Sequence, residues 1–212
     1  TAEKIIQIRD ELSPLMIYQQ SEPIKTILIK MDDVIQERGT VRFGPDSVSI
    51  DSEKYIEKCL KSILKQSYKR FQVQVVDDCS SDSSYEIASS ICEVNKNFKI
   101  FKNSRRIGAL NNISNLLDTK IKEPSRTVDL IIDGDDYLYS GDVLNIVKEK
   151  YLETNCLITY ESHISSKGIQ GKKYPRLIRE FNLFRKYFWY GSHLRTFRHD
   201  LWLAINHQDL LN

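Results

Sequence analysis

An α/β architecture with a mostly parallel sheet flanked by helices is the fold class the sequence predicts, on three observations. Short β-branched runs alternate with helix-period stretches of about 10–15 residues, the pattern of strands joined by crossover helices. Two of those runs, FQVQVV and VDLII, are apolar almost throughout and then stop abruptly on aspartates. The 212 residues are 41% hydrophobic, which is enough to bury one large core.

Along the chain, Ile5, Ile6, Ile8 and Leu12 read as a short amphipathic helix ended by Pro14, and the run TILIKM reads as a strand. In GTVRFGPDSVSID, Gly39, Gly44 and Pro45 punctuate two short β-like pieces. SEKYIEKCLKSILKQSY is an amphipathic helix, because Tyr55-Ile56, Cys59-Leu60 and Ile63-Leu64 recur every three to four residues, with Ser52 as N-cap and lysines on the far face. FQVQVV is a buried strand, SSDSSYEIASSIC a cap and helix, FKIF a strand, and RIGALNNISNLL roughly a helix. VDLII is a strand, SGDVLNIVKEKYL a helix and CLITY a strand. Beyond Gly168 the chain turns basic and aromatic, with Tyr174, Phe181, Phe184, Tyr187, Phe188, Trp189 and Tyr190 ahead of GSHLRTFRHDLWLAI. Those rings suit either a core or the apolar face of a sugar.

Composition narrows the function. Lys+Arg 31 against Asp+Glu 29 leaves a net charge of +2, which gives no electrostatic reason for the whole surface to track a nucleic-acid backbone, so any anion site is local. No run approaches the ~20 apolar residues of a bilayer span. Cys59, Cys79, Cys92 and Cys156 show no close pairing and read as reduced, mostly buried thiols. The charged N-terminus TAEKIIQIRDELSP lacks a secretory apolar core, which predicts a cytoplasmic protein.

Chemistry concentrates at the strand ends, where open α/β sheets bind their ligands. In DLIIDGDDYL, Asp133, Asp135 and Asp136 stand within four residues, a concentration of charge that solvent, protonation or a cation must offset. Hard carboxylate oxygens suit Mg²⁺ or Mn²⁺ bridging to substrate phosphates; the alternative is a solvated turn with Asp136 or Asp142 capping the next helix. A calcium EF-hand loop fits worse, since Tyr137 and Leu138 stand where an oxygen ligand and a glycine belong. In VVDDCSSDSS, Asp77 or Asp78 either accepts from a nucleobase or ribose, or caps the following helix. NSRRIGALNN sets Arg105 and Arg106 beside Gly108 at a helix start, either a phosphate site or a solvated basic turn. That glycine pattern is neither a dinucleotide fingerprint nor a Walker loop.

Taken together, the helix SEKYIEKCLKSILKQSY, the strand end VVDDCSSDSS, the stretch NSRRIGALNN and the acidic motif LIIDGDDYL resemble family-2 glycosyltransferases of the Rossmann-related GT-A fold over about residues 48–160. The resemblance implies inverting transfer of a sugar from a nucleotide-diphosphate donor, UDP-linked first among them, to a hydroxyl on a glycan, lipid or protein. It implies a single domain over 1–212, with an atypical segment 1–47, a nucleotide-sugar-binding core 48–160 and an acceptor-side segment 161–212; a homodimer is also considered. It sets Asp77 and Asp78 on base and ribose, Arg106 and Gly108 near the nucleotide or phosphates, Asp133 and Asp135 at the ribose and at Mn²⁺ or Mg²⁺, and Gly134 between them in the donor-binding turn. His193, in SHLRTFR, becomes a diphosphate or metal neighbour, and Glu161 and Asp200 the foremost catalytic-base candidates, with Glu180 and Asp209 behind them.

Two departures stand out. SVSID precedes SEKYIE where the family runs a strand into a P-x-Y-N-like turn, and the chain stops at QDLLN, soon after a segment the family usually continues. Two other readings share the pattern: an inactive transferase-like binding module, and a phosphoacceptor receiver domain in which Asp133 is phosphorylated.

Overall fold

The computed structural model describes residues 27–31, 53–161, 164, 176–177, 181 and 192–205. The expected N-terminal helix, the turns over 39–51, the Ser52 cap, Glu180, Asp209 and all the tail aromatics except Phe181 lie outside them. The strands are β1 (Ile27–Met31), β2 (Phe71–Asp77), β3 (Phe98–Lys102), β4 (Val128–Ile132), β5 (Ile158–Glu161) and β6 (Ser192–Arg198). The helices are α1 (Ile56–Leu64), α2 (Ser84–Glu93), α3 (Ala109–Leu117), α4 (Val143–Thr154) and α5 (His199–Leu203).

Each helix forms where its period allows a buried stripe. In α1 that stripe is Ile56, Cys59, Leu60 and Ile63, while Glu57 and Lys61 pair across one turn of the solvent face at 2.6 Å. The helix begins at Ile56, later than the sequence pattern suggests, with Tyr55 at the N-cap and no side-chain cap bond. At the end of α4, Asn155 takes the left-handed conformation (φ 47°), a role its short polar side chain tolerates.

The six strands form one sheet in the order β3-β2-β1-β4-β6-β5. β2 and β3 pair in parallel, whereas β1 is antiparallel to both β2 and β4, and β6 is antiparallel to both β4 and β5. It follows that β2, β3, β4 and β5, the four strands read from the alternation, run the same way. β1 and β6 run against them, interleaved. Ile29 faces Val73 on one side and Leu130 on the other, so β1 joins the two halves of the sheet. SHLRTFR, read as a tail segment, is a full strand. A receiver domain needs an all-parallel sheet of order 2-1-3-4-5, and this topology does not meet it.

Helices cover both faces. On one, α1, α2 and α4 pack Leu60, Ile63, Ala88, Leu144 and Val147 against Val73, Val75, Leu130 and Ile132. On the other, α3 and α5 pack Leu116, Leu117 and Trp202 against Val76 and Ile131. All five residues of β4 are buried, including Asp129, which reaches His199 Nδ1 at 2.8 Å. Behind β5 and β6 the hydroxyls of Tyr151, Thr196 and Thr159 form a buried chain.

Candidate active site

Because β2, β3, β4 and β5 share a direction, their C-terminal ends meet at one rim. It collects Asp77 and Asp78 after β2, the 103–108 turn after β3, Asp133 to Asp136 after β4, and Glu161 closing β5. β6 begins there; continuing its register, in which Arg195 faces Ile131, sets the backbone of His193 level with Asp133. β1 separates β2 from β4, so the two acidic ends are about two strand spacings apart, ~9–10 Å.

The first acidic end is turned inward. The fully buried Asp78 carboxylate accepts from Asn103 Nδ2 (2.7 Å), Ile107 N (3.0 Å) and Gly108 N (2.8 Å). Burial opposes its ionisation, but the bonds from Asn103, Ile107 and Gly108, with Asn112 nearby, outweigh it and hold the carboxyl below its ordinary pKa. The Ile107 and Gly108 N–H groups offered to a phosphate in the sequence are therefore bonded to Asp78. Gly108 sits at φ 84°, ψ 159°, with open space where a Cβ would project, so backbone conformation rather than crowding requires glycine there. Asp77, also buried, accepts from Ser80 N at 3.2 and 3.3 Å. Cys79 between them takes φ 69°. Arg105 and Arg106, carried on the turn Asp78 holds, are exposed.

The second acidic end is a tight turn closed by Asp136 N on the Asp133 carbonyl at 3.0 Å. Asp133, Gly134 and Asp136 are buried, while Asp135 is half-buried and reaches solvent. Beneath them Cys59 directs its thiol at the Asp133 carbonyl (3.7 Å). Burial first, and then the charges of Asp136, Asp135 and Asp133, push that thiol well up and keep it protonated. Cys92 and Cys156 are likewise buried and raised, Cys92 to about 12, and Cys79 is exposed; all four are free thiols, as expected. Asp142 occupies the N-cap position of α4, yet its carboxylate accepts from the Ser67 hydroxyl and Asn145 Nδ2, at 2.6 Å each, instead of capping N–H groups.

Asp200 lies elsewhere. β6 is antiparallel to β4, with Arg198 opposite Val128, so α5 starts at the opposite rim. There Arg198 grips the Asp200 carboxylate through Nε (2.9 Å) and Nη2.

Three polar side chains that sequence reasoning did not single out build the rim. Asn103 Nδ2 bridges Asp78 and Asn112 Oδ1 (2.8 Å). Fully buried Gln66 donates to Ser62 and Ser140 carbonyls and accepts from Leu144 N, tying α1 to the loop after the acidic turn and to α4. Only their position beside the acidic motifs hinted at them.

Asp133 and Asp135 supply the hard oxygen donors that Mg²⁺ or Mn²⁺ prefers. Among the described residues, however, no group of three His, Cys, Asp or Glu side chains is arranged to hold a metal ion. That donor set fits a cation shared with substrate phosphate oxygens, not one held by protein alone. No helix among the described residues is long and apolar enough to cross a membrane.

Residues 48–207 match the family model described as Glycosyl transferase family 2. The chain is 26% identical over 126 residues to glycosyltransferase GlyA of Streptococcus pneumoniae, covering 59% of this chain and 17% of that protein. It is 32% identical over 123 residues to the GalNAc(5)-diNAcBac-PP-undecaprenol beta-1,3-glucosyltransferase of Campylobacter jejuni, covering 55% and 38%. To poly(ribitol-phosphate) beta-N-acetylglucosaminyltransferase TarS of Staphylococcus aureus it is 29% identical over 144 residues, covering 64% and 23%. The matched region is well under half the length of each relative.

Proposed function

The chain belongs to glycosyl transferase family 2, and from that premise we propose that it moves a sugar from a nucleotide-diphosphate donor to an acceptor hydroxyl, with inversion, on a GT-A-type sheet. The observation that carries the reading is the common rim: four co-directional strands end together, and among the described residues every acidic candidate but Asp200 lies there. A UDP-linked donor is the first to test. The acceptor is a glycan, lipid or protein; the names of two relatives specify phosphate-bearing acceptors, which makes that class the favoured one. The chain acts in the cytoplasm on this reading.

Each residue has a task. Asp133 and Asp135 would border the ribose and hold Mn²⁺ or Mg²⁺, with Gly134 between them and His193 beside them. That cation, when bound, offsets charge gathering on the leaving diphosphate. Asp77 borders the base. Asp78 is a positioning residue that orients the 105–108 turn, so that exposed Arg106 meets the nucleotide phosphates. Glu161, at the acidic rim, takes the acceptor proton as the hydroxyl attacks an oxocarbenium-like anomeric carbon. Asp200, clamped by Arg198 at the far rim, is left out of the chemistry.

Thermal shift with UDP, with and without Mn²⁺, tests the reading: stabilisation that needs both partners is expected. No shift with UDP, GDP or their sugar conjugates overturns it. A shift without transfer to any acceptor would identify an inactive binding module.

A further inference from the structure

A concavity of about 380 Å³ begins two residues past Asp135, between α1 and the loop 137–141. One wall carries Lys58 and Lys61 on α1, with Lys54 in the turn before the helix and Lys65 at its C-cap, all exposed. The other wall carries Tyr137 and Tyr139. Among the described residues Glu57 is the one acid in the lining, and it pairs with Lys61 at 2.6 Å. The Lys58 ammonium is held over the Tyr137 ring, 3.7 Å from its centroid.

The walls are fastened to each other. Leu138 N donates to Ser62 Oγ at 2.9 Å, Gln66 Nε2 to the Ser140 carbonyl at 2.6 Å, and Ser67 N to the Gly141 carbonyl at 2.6 Å. A Cβ on Gly141 would lie 3.0 Å from the Lys65 carbonyl, so a larger residue there would push the loop back by a few tenths of an ångström. The groove is thus a standing feature beside the acidic turn.

We propose that this groove holds a phosphodiester group of the acceptor, a phosphate-linked polyol or sugar chain whose hydroxyl is presented to the acidic rim. The assignment rests on the transferase reading and names the substrate class for it. Ammonium groups are compact point charges that suit phosphate, whereas planar carboxylates favour the guanidinium fork, and among the described residues no arginine is in the lining. A row of like charges matches a repeating anion, and tyrosine rings suit the C–H faces of a sugar or polyol. The concave shape favours a threaded chain over a flat lipid surface. Next to Asp133 and Asp135, an anionic acceptor needs local positive charge to approach, and the lysine stripe supplies it.

The test uses the full chain and a fluorescent glycerol-phosphate hexamer as probe, against an uncharged polyol of equal length, hexagalacturonate, and phosphatidylglycerol vesicles. The wild type is expected to bind the phosphate hexamer most tightly, weakening with salt. The triple variant K58Q/K61Q/K65Q should lose at least tenfold in affinity, and K58R/K61R/K65R should restore most of it. Equal binding by the glutamine variant, equal binding of hexagalacturonate or the uncharged polyol, or binding confined to vesicles would each overturn the proposal. The thermal shift by UDP with Mn²⁺, measured on the same samples, should be identical in wild type and variant. Its absence from the wild type would instead count against the transferase reading, whatever the hexamer does.

Discussion

The acidic ends of β2 and β4 look alike as sequence, each a buried strand that stops on paired aspartates, yet the fold uses them differently. After β2 the carboxylate of Asp78 is sealed in and surrounded by donors from Asn103, Ile107 and Gly108. After β4 the turn leaves Asp135 in reach of solvent, above a thiol that its charge helps keep protonated. An aspartate becomes architectural where the chain brings N–H groups to it, and stays available where its carboxylate remains open to solvent. The difference lies in what folds back, and the local motif does not encode that.

The sharpest way to break this comparison is Asp78→Ala. It orphans the Ile107 and Gly108 N–H groups and the Asn103 amide, at about 1–3 kcal/mol each. A loss on the order of 3–5 kcal/mol is expected, read as a fall in Tm of about 10–15 °C. Asp135→Ala should do the reverse, moving Tm little while weakening Mn²⁺-dependent UDP binding about 100-fold, or ~2.7 kcal/mol. If both variants lose stability alike, the two ends are equivalent after all. Acid titration separates them more gently. A folded-state pKa held below the unfolded value makes the Asp78 contribution fully present at neutral pH, and lost as pH falls through that depressed value. Wild-type Tm should therefore drop more steeply than that of Asp78→Asn below about pH 4. Arg106→Ala, at an exposed position on the turn, should weaken nucleotide binding about tenfold with Tm unchanged, by calorimetry, since a charged hydrogen bond contributes about 1.5–3 kcal/mol. The smallest effect belongs to Cys79→Gly, which relieves a left-handed backbone at φ 69° and should raise stability by about 0.5–1 kcal/mol in urea melts.

Periodicity carried much of the fold. VDLII is a strand over those same residues, and the α1 stripe falls where the apolar pairs predicted it. Strand direction was legible too, because helices of crossover length oblige β2, β3, β4 and β5 to run alike. Strand order was not. β1 reaches the middle of the sheet from a segment whose apolar run names no neighbour, and β6 was hidden because His193, Arg195 and Arg198 break its apolar pattern. The motifs fall together at one rim of the sheet, but nothing in them encodes the inward commitment of Asp78 or the remoteness of Asp200. Both follow from pairings across 29 or more residues, between Asp78 and Ile107 and between β4 and β6.

Because β1 alone bridges β2 and β4, its loss would not trim an edge from the sheet. It would leave two separate ribbons, β3-β2 and β4-β6-β5, each exposing a fresh row of unpaired backbone amides and carbonyls. Detachment of five residues would then open two templates for intermolecular strand addition at once. Aggregation that begins in the sheet's interior, well before the helices melt, is the failure such a design invites.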